Sequence, residues 1–179
     1  MRTLFRLVFI LFSAIFLIYL VRPIPSFPSP PEDSTQSTEP ADSETEKRRA
    51  YFTDYSRDQV IDHYKNQVAQ NNLTLRLNYP PEDAQTLIRD QTRSVYLEEI
   101  VEPLRFSLFI NGFEPRVAKD DIWYKGRHYN AKITIKYVET ALAKRLIIGI
   151  SALIALYVLG EFWINFIYST KNPLQITRE

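Results

Sequence analysis

Apolar residues are concentrated in two blocks, one near each end of the chain, and the sequence between them is largely polar. The first block, residues 4–21, has no charge after Arg6 and is followed by Arg22. A helix needs about 20 mostly apolar residues to cross a membrane, and arginine stems can extend a short span by reaching towards the headgroups. This block predicts a transmembrane helix that acts as a signal anchor. A cleaved signal peptide is the alternative, but the small-residue cleavage pattern is missing before the prolines that follow Arg22.

The second apolar block, residues 146–168, is interrupted only by Glu161 and Asn165. It is long enough to span a bilayer with some tilt, and Trp163 suits an interfacial aromatic belt. We therefore predict a second transmembrane helix here, followed by a C-terminal tail over residues 169–179.

Two spans place both termini on one side of the membrane and the middle of the chain on the other. Basic residues precede the first span, and residues 32–46 beyond it carry six acids and no base, which favours a cytoplasmic N-terminus. The second span favours the opposite orientation, because more basic residues precede it than follow it. The first helix usually dominates, so we expect an integral protein of the cytoplasmic (plasma) membrane with an extracytoplasmic middle domain.

The segment between the first span and the middle domain, residues 22–49, is rich in proline and then in Ser, Thr and Glu. Proline prevents regular helix and sheet, and the polar remainder lacks apolar residues for a core. The pattern predicts an extended, acidic linker that leads to a folded domain over residues 50–143.

The first part of the middle domain predicts a helix, a strand and a second helical region. Ser56 is a suitable N-cap for a helix over residues 57–70, whose apolar residues recur on one face. Alternation over residues 73–79 predicts a strand. Prolines and acids from Pro80 onward predict further helix, which Pro103 ends. Its apolar residues change face near residues 92–94, so either the helix breaks there or different partners cover it along its length.

The second part of the domain is rich in β-strand patterns. Apolar alternation after residue 105 leads into Asn111-Gly112, a sequence favoured in two-residue hairpin turns. Lys125-Gly126-Arg127 predicts another hairpin turn, followed by a long strand over residues 129–138. The simplest fold class is α+β, with helices packed on an antiparallel sheet of three to five strands and flanked by the two transmembrane helices.

Residues 77–115, from LNYPPEDAQTLIRD through VYLEEIVEPLRFSLFINGFEP, resemble short uncharacterised bacterial membrane proteins with two spans and an intervening α+β domain. The resemblance implies a protein of the bacterial envelope. It assigns no activity and transfers no functional residue.

Composition excludes several kinds of chemistry. The chain has no cysteine, which excludes disulfides and thiolate metal sites, and its net charge of +1 does not indicate a nucleic-acid partner. His63 and His128 are 65 residues apart and are expected to be ordinary surface histidines. Asp54, Asp58 and Asp62 are spaced as one helical stripe, for which we expect a solvated face. We therefore assign no catalytic, cofactor-binding or metal residue, and expect no cofactor.

Glu161 is the residue whose position is chemically unusual, because a carboxyl group within an apolar span must be neutral, paired or close to the interface. We treat it as a candidate contact with another membrane helix, with Ser151 and Ala155 as a small-residue face that permits close approach.

Three functional hypotheses follow from this organisation of the chain. The first is a membrane-anchored envelope protein whose external domain binds a protein or an envelope polymer. The others are a subunit of a membrane transport or secretion complex and a small membrane-tethered hydrolase. The expected partners are the lipid bilayer and either another protein or further copies of this chain.

Overall fold

The computed structural model describes residues 2–68, the backbone of residues 75–79, and residues 94–171. The chain divides into two compact units, one formed by residues 1–23 and 140–179 and the other by residues 24–139. The first unit contains helices α1 (Arg2–Val21) and α3 (Leu142–Lys171). Among the described residues, these two helices are long and apolar enough to cross a membrane.

The α+β unit, residues 24–139, is built on an antiparallel sheet in the order β1-β2-β8-β5-β4-β3. Its strands are β1 (Thr35–Gln36), β2 (Arg48–Thr53), β3 (Leu75–Tyr79), β4 (Tyr96–Glu102), β5 (Phe106–Phe113) and β8 (Ala131–Glu139). Strands β6 (Ile122–Tyr124) and β7 (Arg127–Tyr129) form a separate two-stranded hairpin. Strand β1 has only two residues, and the other five strands of the main sheet are longer. This antiparallel sheet, together with the helix that packs on it, confirms the predicted α+β fold class.

Helix α2 (Arg57–Val68) packs on one face of the main sheet. Ser56 N donates to Gln59 Oε1 at 2.9 Å, and Gln59 N lies 3.5 Å from Ser56 Oγ, which is the reciprocal arrangement of a capping box. The apolar face predicted for this helix is confirmed, because its four members are buried in the core: Val60, Ile61, Tyr64 and Val68.

The predicted helix ending at Pro103 is wrong over its second half, because residues 96–102 form β4. The first half, residues 80–93, lies outside the described residues. Strand β4 lies between β5 and β3, and nearly all of its residues are buried. A strand that is buried on both faces needs no alternation of apolar and polar residues. The spacing of the apolar residues in such a strand can therefore resemble the spacing on one face of a helix.

The predicted hairpin turn at Asn111-Gly112 is also wrong, because both residues lie inside β5. Gly112 is directly opposite Tyr96 on β4, and a Cβ atom at Gly112 would overlap the Tyr96 ring. Here glycine permits close packing of an aromatic side chain rather than a turn. The turn that joins β4 to β5 instead includes Leu104, whose φ is 63°.

The predicted hairpin at Lys125-Gly126 is confirmed. Both residues have positive φ, 51° and 80°, as a two-residue type I′ turn requires. The long strand that follows runs over residues 131–139 rather than 129–138, because Tyr129 pairs with Ile122 in the small hairpin.

The segment predicted as a linker differs in the structure, where residues 24–47 belong to the α+β unit. Ile24 and Phe27 pack against the core, and Tyr137 Oη donates to Pro25 O at 3.2 Å. Prolines lack a donor N–H, so an extended proline-rich segment can lie along a folded surface without a sheet partner. The folded unit therefore begins well before residue 50.

Candidate functional site

The three residues predicted as intramembrane contacts are divided between two faces of α3. Glu161 faces α1, where Arg6 Nε donates to Glu161 Oε1 at 2.8 Å and Tyr157 Oη donates to the same oxygen at 3.1 Å. Ser151 and Ala155 are exposed. The structure therefore gives Glu161 a partner within its own chain, and the role of Ser151 and Ala155 in contacting another helix stays a prediction.

Close approach of α1 and α3 depends on two glycines that the sequence analysis did not select. A Cβ atom at Gly149 would overlap Leu20, and one at Gly160 would overlap the ring of Phe5. Gly149 and Gly160 are 11 residues apart, which is about three helical turns and places them on one face. Two of the four glycines in the chain occupy one apolar helix at this spacing, and that signal could have identified the contact face.

Polar contacts also join the two ends of this helix pair. Arg2 donates to Asn165 through a side-chain hydrogen bond. At the other end, the buried side chain of Arg145 donates to Leu20 O at 2.8 Å and to Arg22 O at 3.3 Å. The last carbonyl groups of a helix have no partner within it, so Arg145 satisfies acceptors at the C-terminus of α1.

Among the described side chains of the α+β unit, the β6–β7 hairpin presents the most exposed aromatic residue. Trp123 is 67% exposed, and its ring lies edge-on to His128 on the paired strand, with the ring centroids 5.3 Å apart. A tryptophan combines a large apolar surface with a polar N–H group, and this residue type is enriched in binding surfaces. This hairpin is therefore the candidate binding site.

The opposite side of the hairpin is anchored to the main sheet by aromatic packing. Tyr124 stacks on Phe52 with ring centroids 4.3 Å apart, while Ile122 and Tyr129 are buried against the same phenylalanine. Tyr124 Oη also lies 2.8 Å from Thr38 Oγ1, and this hydrogen bond lowers the pKa of Tyr124. Trp123 is thus exposed on a hairpin whose neighbouring side chains hold it in place.

A polar anchor involves Asp54, one member of the acidic stripe considered in the sequence. Arg127 Nη2 donates to Asp54 Oδ2 at 2.8 Å, and Asn130 N donates to Asp54 Oδ1 at 3.1 Å. The hydrogen bond to Asp54 raises the pKa of Arg127. Asp58 Oδ1 instead accepts a hydrogen bond from Arg57 Nη1 at 2.9 Å, so Asp54 and Asp58 contact different residues. In the described part of the chain, no group of three or more His, Asp or Glu residues could hold a metal ion.

His63 and His128 have different surroundings. His63 Nε2 lies 2.6 Å from Gln67 Nε2 and 3.1 Å from Ser29 O, on the segment that packs beside α2. Ser29 N donates to Gln67 Oε1 at 2.9 Å. His63 therefore contributes to holding the proline-rich segment, whereas His128 lies beside Trp123.

Two open clefts flank the proline-rich segment. One has a volume of about 310 Å³ and includes Gln67 and Phe106 in its lining, and the other has a volume of about 640 Å³ and includes Lys47 and Arg49. They share four lining residues: Pro25, Ser26, Phe27 and Tyr137. Arg49 is already placed over the Phe27 ring at 4.4 Å, so part of the second cleft is occupied by contacts within the unit.

Comparison with known proteins finds no family model, no curated protein and no solved structure that matches this chain. The functional argument therefore depends on the residues and contacts described above.

Proposed function

We propose that this chain is a membrane-anchored protein of the bacterial envelope, in which α1 and α3 span the cytoplasmic membrane and the α+β unit binds a protein or an envelope polymer outside the cytoplasm. The observation that carries the binding proposal is the exposed Trp123 on the anchored β6–β7 hairpin. A fixed aromatic surface binds at a lower entropic cost than a mobile one, and it suits either an apolar protein side chain or the face of a sugar ring.

The membrane part of the proposal is supported by the surfaces of the two helices. Their outward-facing apolar side chains are largely exposed, including Ile10 and Ile154, as expected for helices in contact with lipid. The polar side chains of Arg6 and Glu161 pair with each other, which lowers the free energy of placing them in or near an apolar phase.

The orientation can be tested with single-cysteine variants, because the chain contains no cysteine. Lys125→Cys places a thiol in the exposed turn of the β6–β7 hairpin. A membrane-impermeant maleimide should label it in intact spheroplasts. Labelling only after lysis would contradict the extracytoplasmic location while leaving the binding proposal intact.

The binding surface can be tested by comparing Trp123→Ala with Val117→Ala in the full chain. Val117 is a matched control because it is also apolar and exposed, at 50%, and lies outside the hairpin. Co-purification from detergent and co-sedimentation with isolated envelope polymer should both be measured. We expect Trp123→Ala to lose the bound partner several-fold while Val117→Ala retains it. Equal recovery by both variants, with wild-type unfolding behaviour, would exclude the hairpin as the binding surface.

A second candidate function, a subunit of a larger membrane complex, is favoured by the exposed small residues on α3. Ser151 and Ala155 lie one turn apart on a surface that is not covered by α1. Small residues in this arrangement let two helices approach closely. Ala155→Leu should then reduce a detergent-stable complex without weakening the contact between α1 and α3.

A further inference from the structure

Arg48, the first residue of β2, carries a buried positive charge and is only 7% exposed. Within the described part of the chain, its guanidinium group donates one hydrogen bond, from Nη1 to Glu44 Oε2 at 3.1 Å, and its buried Nε has no partner. The Glu44 side chain is 52% exposed, so water competes for this carboxylate. A buried charge is costly unless its polar atoms are satisfied, and a buried donor without a partner can mark the place of a bound ion.

Arg48 and its neighbour Arg49 lie where β2 extends beyond the short edge strand. Strand β1 pairs with β2 at Tyr51 and Phe52, and Ser37 N donates to Ala50 O at 2.9 Å just after β1 ends. Residues 48 and 49 come earlier in β2, and both line the larger of the two clefts, whose volume is about 640 Å³. Successive side chains of a strand point to opposite faces, so a cleft at the edge of the sheet can include both arginines.

The charged residues that line this cleft are three bases and two acids, Lys47, Arg48, Arg49, Glu46 and Glu139. Lys47 forms an ion pair with Glu139, so these two charges offset each other. Glu46 is exposed, and solvent screens its charge. The lining thus carries an excess of positive charge on the two arginines, which favours an anionic ligand.

The same cleft also has an apolar wall and several hydroxyl groups. Its lining includes the ring of Phe27, over which the guanidinium carbon of Arg49 lies at 4.4 Å from the centroid, together with Pro25 and Tyr137. The hydroxyl-bearing residues of the lining are Ser26, Ser43 and Thr45. Small organic ligands occupy clefts of about 300–1,000 Å³ that combine apolar walls with a few polar groups, so this cleft is suited to a molecule larger than a single inorganic ion.

We propose that this cleft binds a small organic anion, whose phosphate or carboxylate group accepts hydrogen bonds from Arg48 and Arg49 and whose apolar part packs against Phe27. An arginine presents its N–H groups as a planar fork that matches the oxygen atoms of either group, and hydrogen bonds between two charged groups are stronger than neutral ones. Such a ligand would satisfy the unpaired nitrogen of Arg48. The site is separate from the proposed binding surface at Trp123, since no residue of the β6–β7 hairpin lines the cleft.

The test is an NMR titration of the full-length protein, labelled with ¹⁵N, in detergent micelles at constant ionic strength. The probe is phenyl phosphate, and the arginine Nε–H resonances are followed. The Arg48 resonance, identified by its absence from the spectrum of Arg48→Lys, should shift saturably. Arg127, which is already bonded to Asp54, is the internal control and should shift little. A shift at Arg48 no larger than the shift at Arg127 would overturn the proposal.

Variants measured by isothermal titration calorimetry then assign the binding to the cleft. Arg48→Gln should weaken the binding of phenyl phosphate at least ten-fold, and Arg49→Gln should weaken it several-fold. Arg116→Gln removes an exposed arginine outside the cleft and should retain the wild-type affinity. Equal affinities of Arg48→Gln and Arg116→Gln would show that Arg48 does not bind the anion. If Arg48→Gln fails to fold, the titration of the wild-type Arg48 resonance decides the question.

Parallel titrations with benzoate, inorganic phosphate and benzyl alcohol identify the group that is bound. Saturable binding of benzoate or phenyl phosphate supports the site, and the tighter of the two shows whether a carboxylate or a phosphate is preferred. Inorganic phosphate should bind several-fold more weakly than phenyl phosphate, because it has no apolar part. Equally tight binding of inorganic phosphate would overturn the role of the apolar wall, and equally tight binding of uncharged benzyl alcohol would overturn the role of the arginines.

Discussion

Arg6 and Glu161 join the two apolar helices of this protein through a hydrogen-bonded ion pair of 2.8 Å between Arg6 Nε and Glu161 Oε1. The residues are 155 positions apart in sequence. Each charge would be unfavourable alone in an apolar phase, and their pairing makes the association of α1 with α3 favourable. The pair also explains how a glutamate is accommodated in an otherwise apolar helix.

The first prediction concerns this pair. Glu161→Leu should weaken the association of α1 and α3 because it leaves Arg6 without its carboxylate partner, while Glu161→Gln should retain part of the hydrogen bonding. Glu161→Leu should therefore unfold at a lower SDS concentration than the wild-type chain, with Glu161→Gln between the two. The measurement is SDS-induced unfolding of the full chain in detergent micelles.

The double variant Arg6→Leu/Glu161→Leu provides the control for the first prediction. It removes both charges, so it should be more stable than Glu161→Leu alone. If the loss of stability in the double variant equals the sum of the losses in Arg6→Leu and Glu161→Leu, the two residues do not interact.

The second prediction distinguishes the two small-residue faces of α3. Gly160→Leu should destabilise the helix pair by about 1–3 kcal/mol, because the new side chain would overlap the ring of Phe5. Ala155→Leu makes a comparable increase in volume on the exposed face and should leave unfolding in micelles nearly unchanged. Equal effects of the two substitutions would contradict the assignment of faces.

The third prediction concerns the proline-rich and acidic segment before β2. Lys132 Nζ lies 2.8 Å from Asp42 Oδ2 and 2.8 Å from Glu39 Oε2, and Arg48 is buried. These contacts should make trypsin cleavage after Arg48 slow in the native protein, as a mass-spectrometric time course would show.

Lys132→Met should increase that cleavage rate several-fold, because it leaves the buried Asp42 without this ion pair. Lys119→Met removes an exposed lysine elsewhere in the unit and serves as the control. Rapid cleavage of the wild-type chain at this position would indicate that the segment behaves as the linker predicted from sequence.

The fourth prediction concerns alkaline pH. Burial raises the pKa of Tyr64 and of Tyr96 far above the usual value of about 10. Above pH 10 the unfolded chain loses these protons while the native state keeps them, so the native state binds more protons. The free energy of unfolding should therefore be unaffected by these groups below pH 10 and fall by up to about 1.4 kcal/mol per pH unit for each tyrosine above it.

This fourth prediction is checked by following tyrosinate absorbance and circular dichroism together during an alkaline titration. Ionisation of the buried tyrosines should coincide with unfolding. Their hydroxyl groups make no hydrogen bond to the described residues, so Tyr64→Phe should preserve the fold and move the transition to higher pH. Tyrosinate signals from these positions in a fully folded protein would contradict the assignment.

Local patterns in the sequence were sufficient for elements whose environment is simple. The four buried residues of α2 follow helical spacing because one face meets the sheet and the other meets solvent. Lys125-Gly126 forms the predicted hairpin because the turn itself demands positive φ at both positions. The two apolar blocks form the two long helices for a similarly local reason, since an uncharged run of that length has few other stable conformations.

Elements whose conformation depends on distant parts of the chain could not be predicted from local sequence patterns. Strand β4 resembled a helix in sequence because its residues are buried on both faces, so that apolar residues occur on either side of the strand. Gly112 appeared to mark a turn because the sequence does not show that Tyr96 lies over it. The sequence by itself thus determined the two apolar helices, the α+β class and the turn chemistry of β6–β7, all of which follow from interactions between near neighbours. Tertiary structure decided the strand register, the packing of residues 24–47 onto the α+β unit and the pairing of Arg6 with Glu161. The free energy of each comes from groups far apart along the chain.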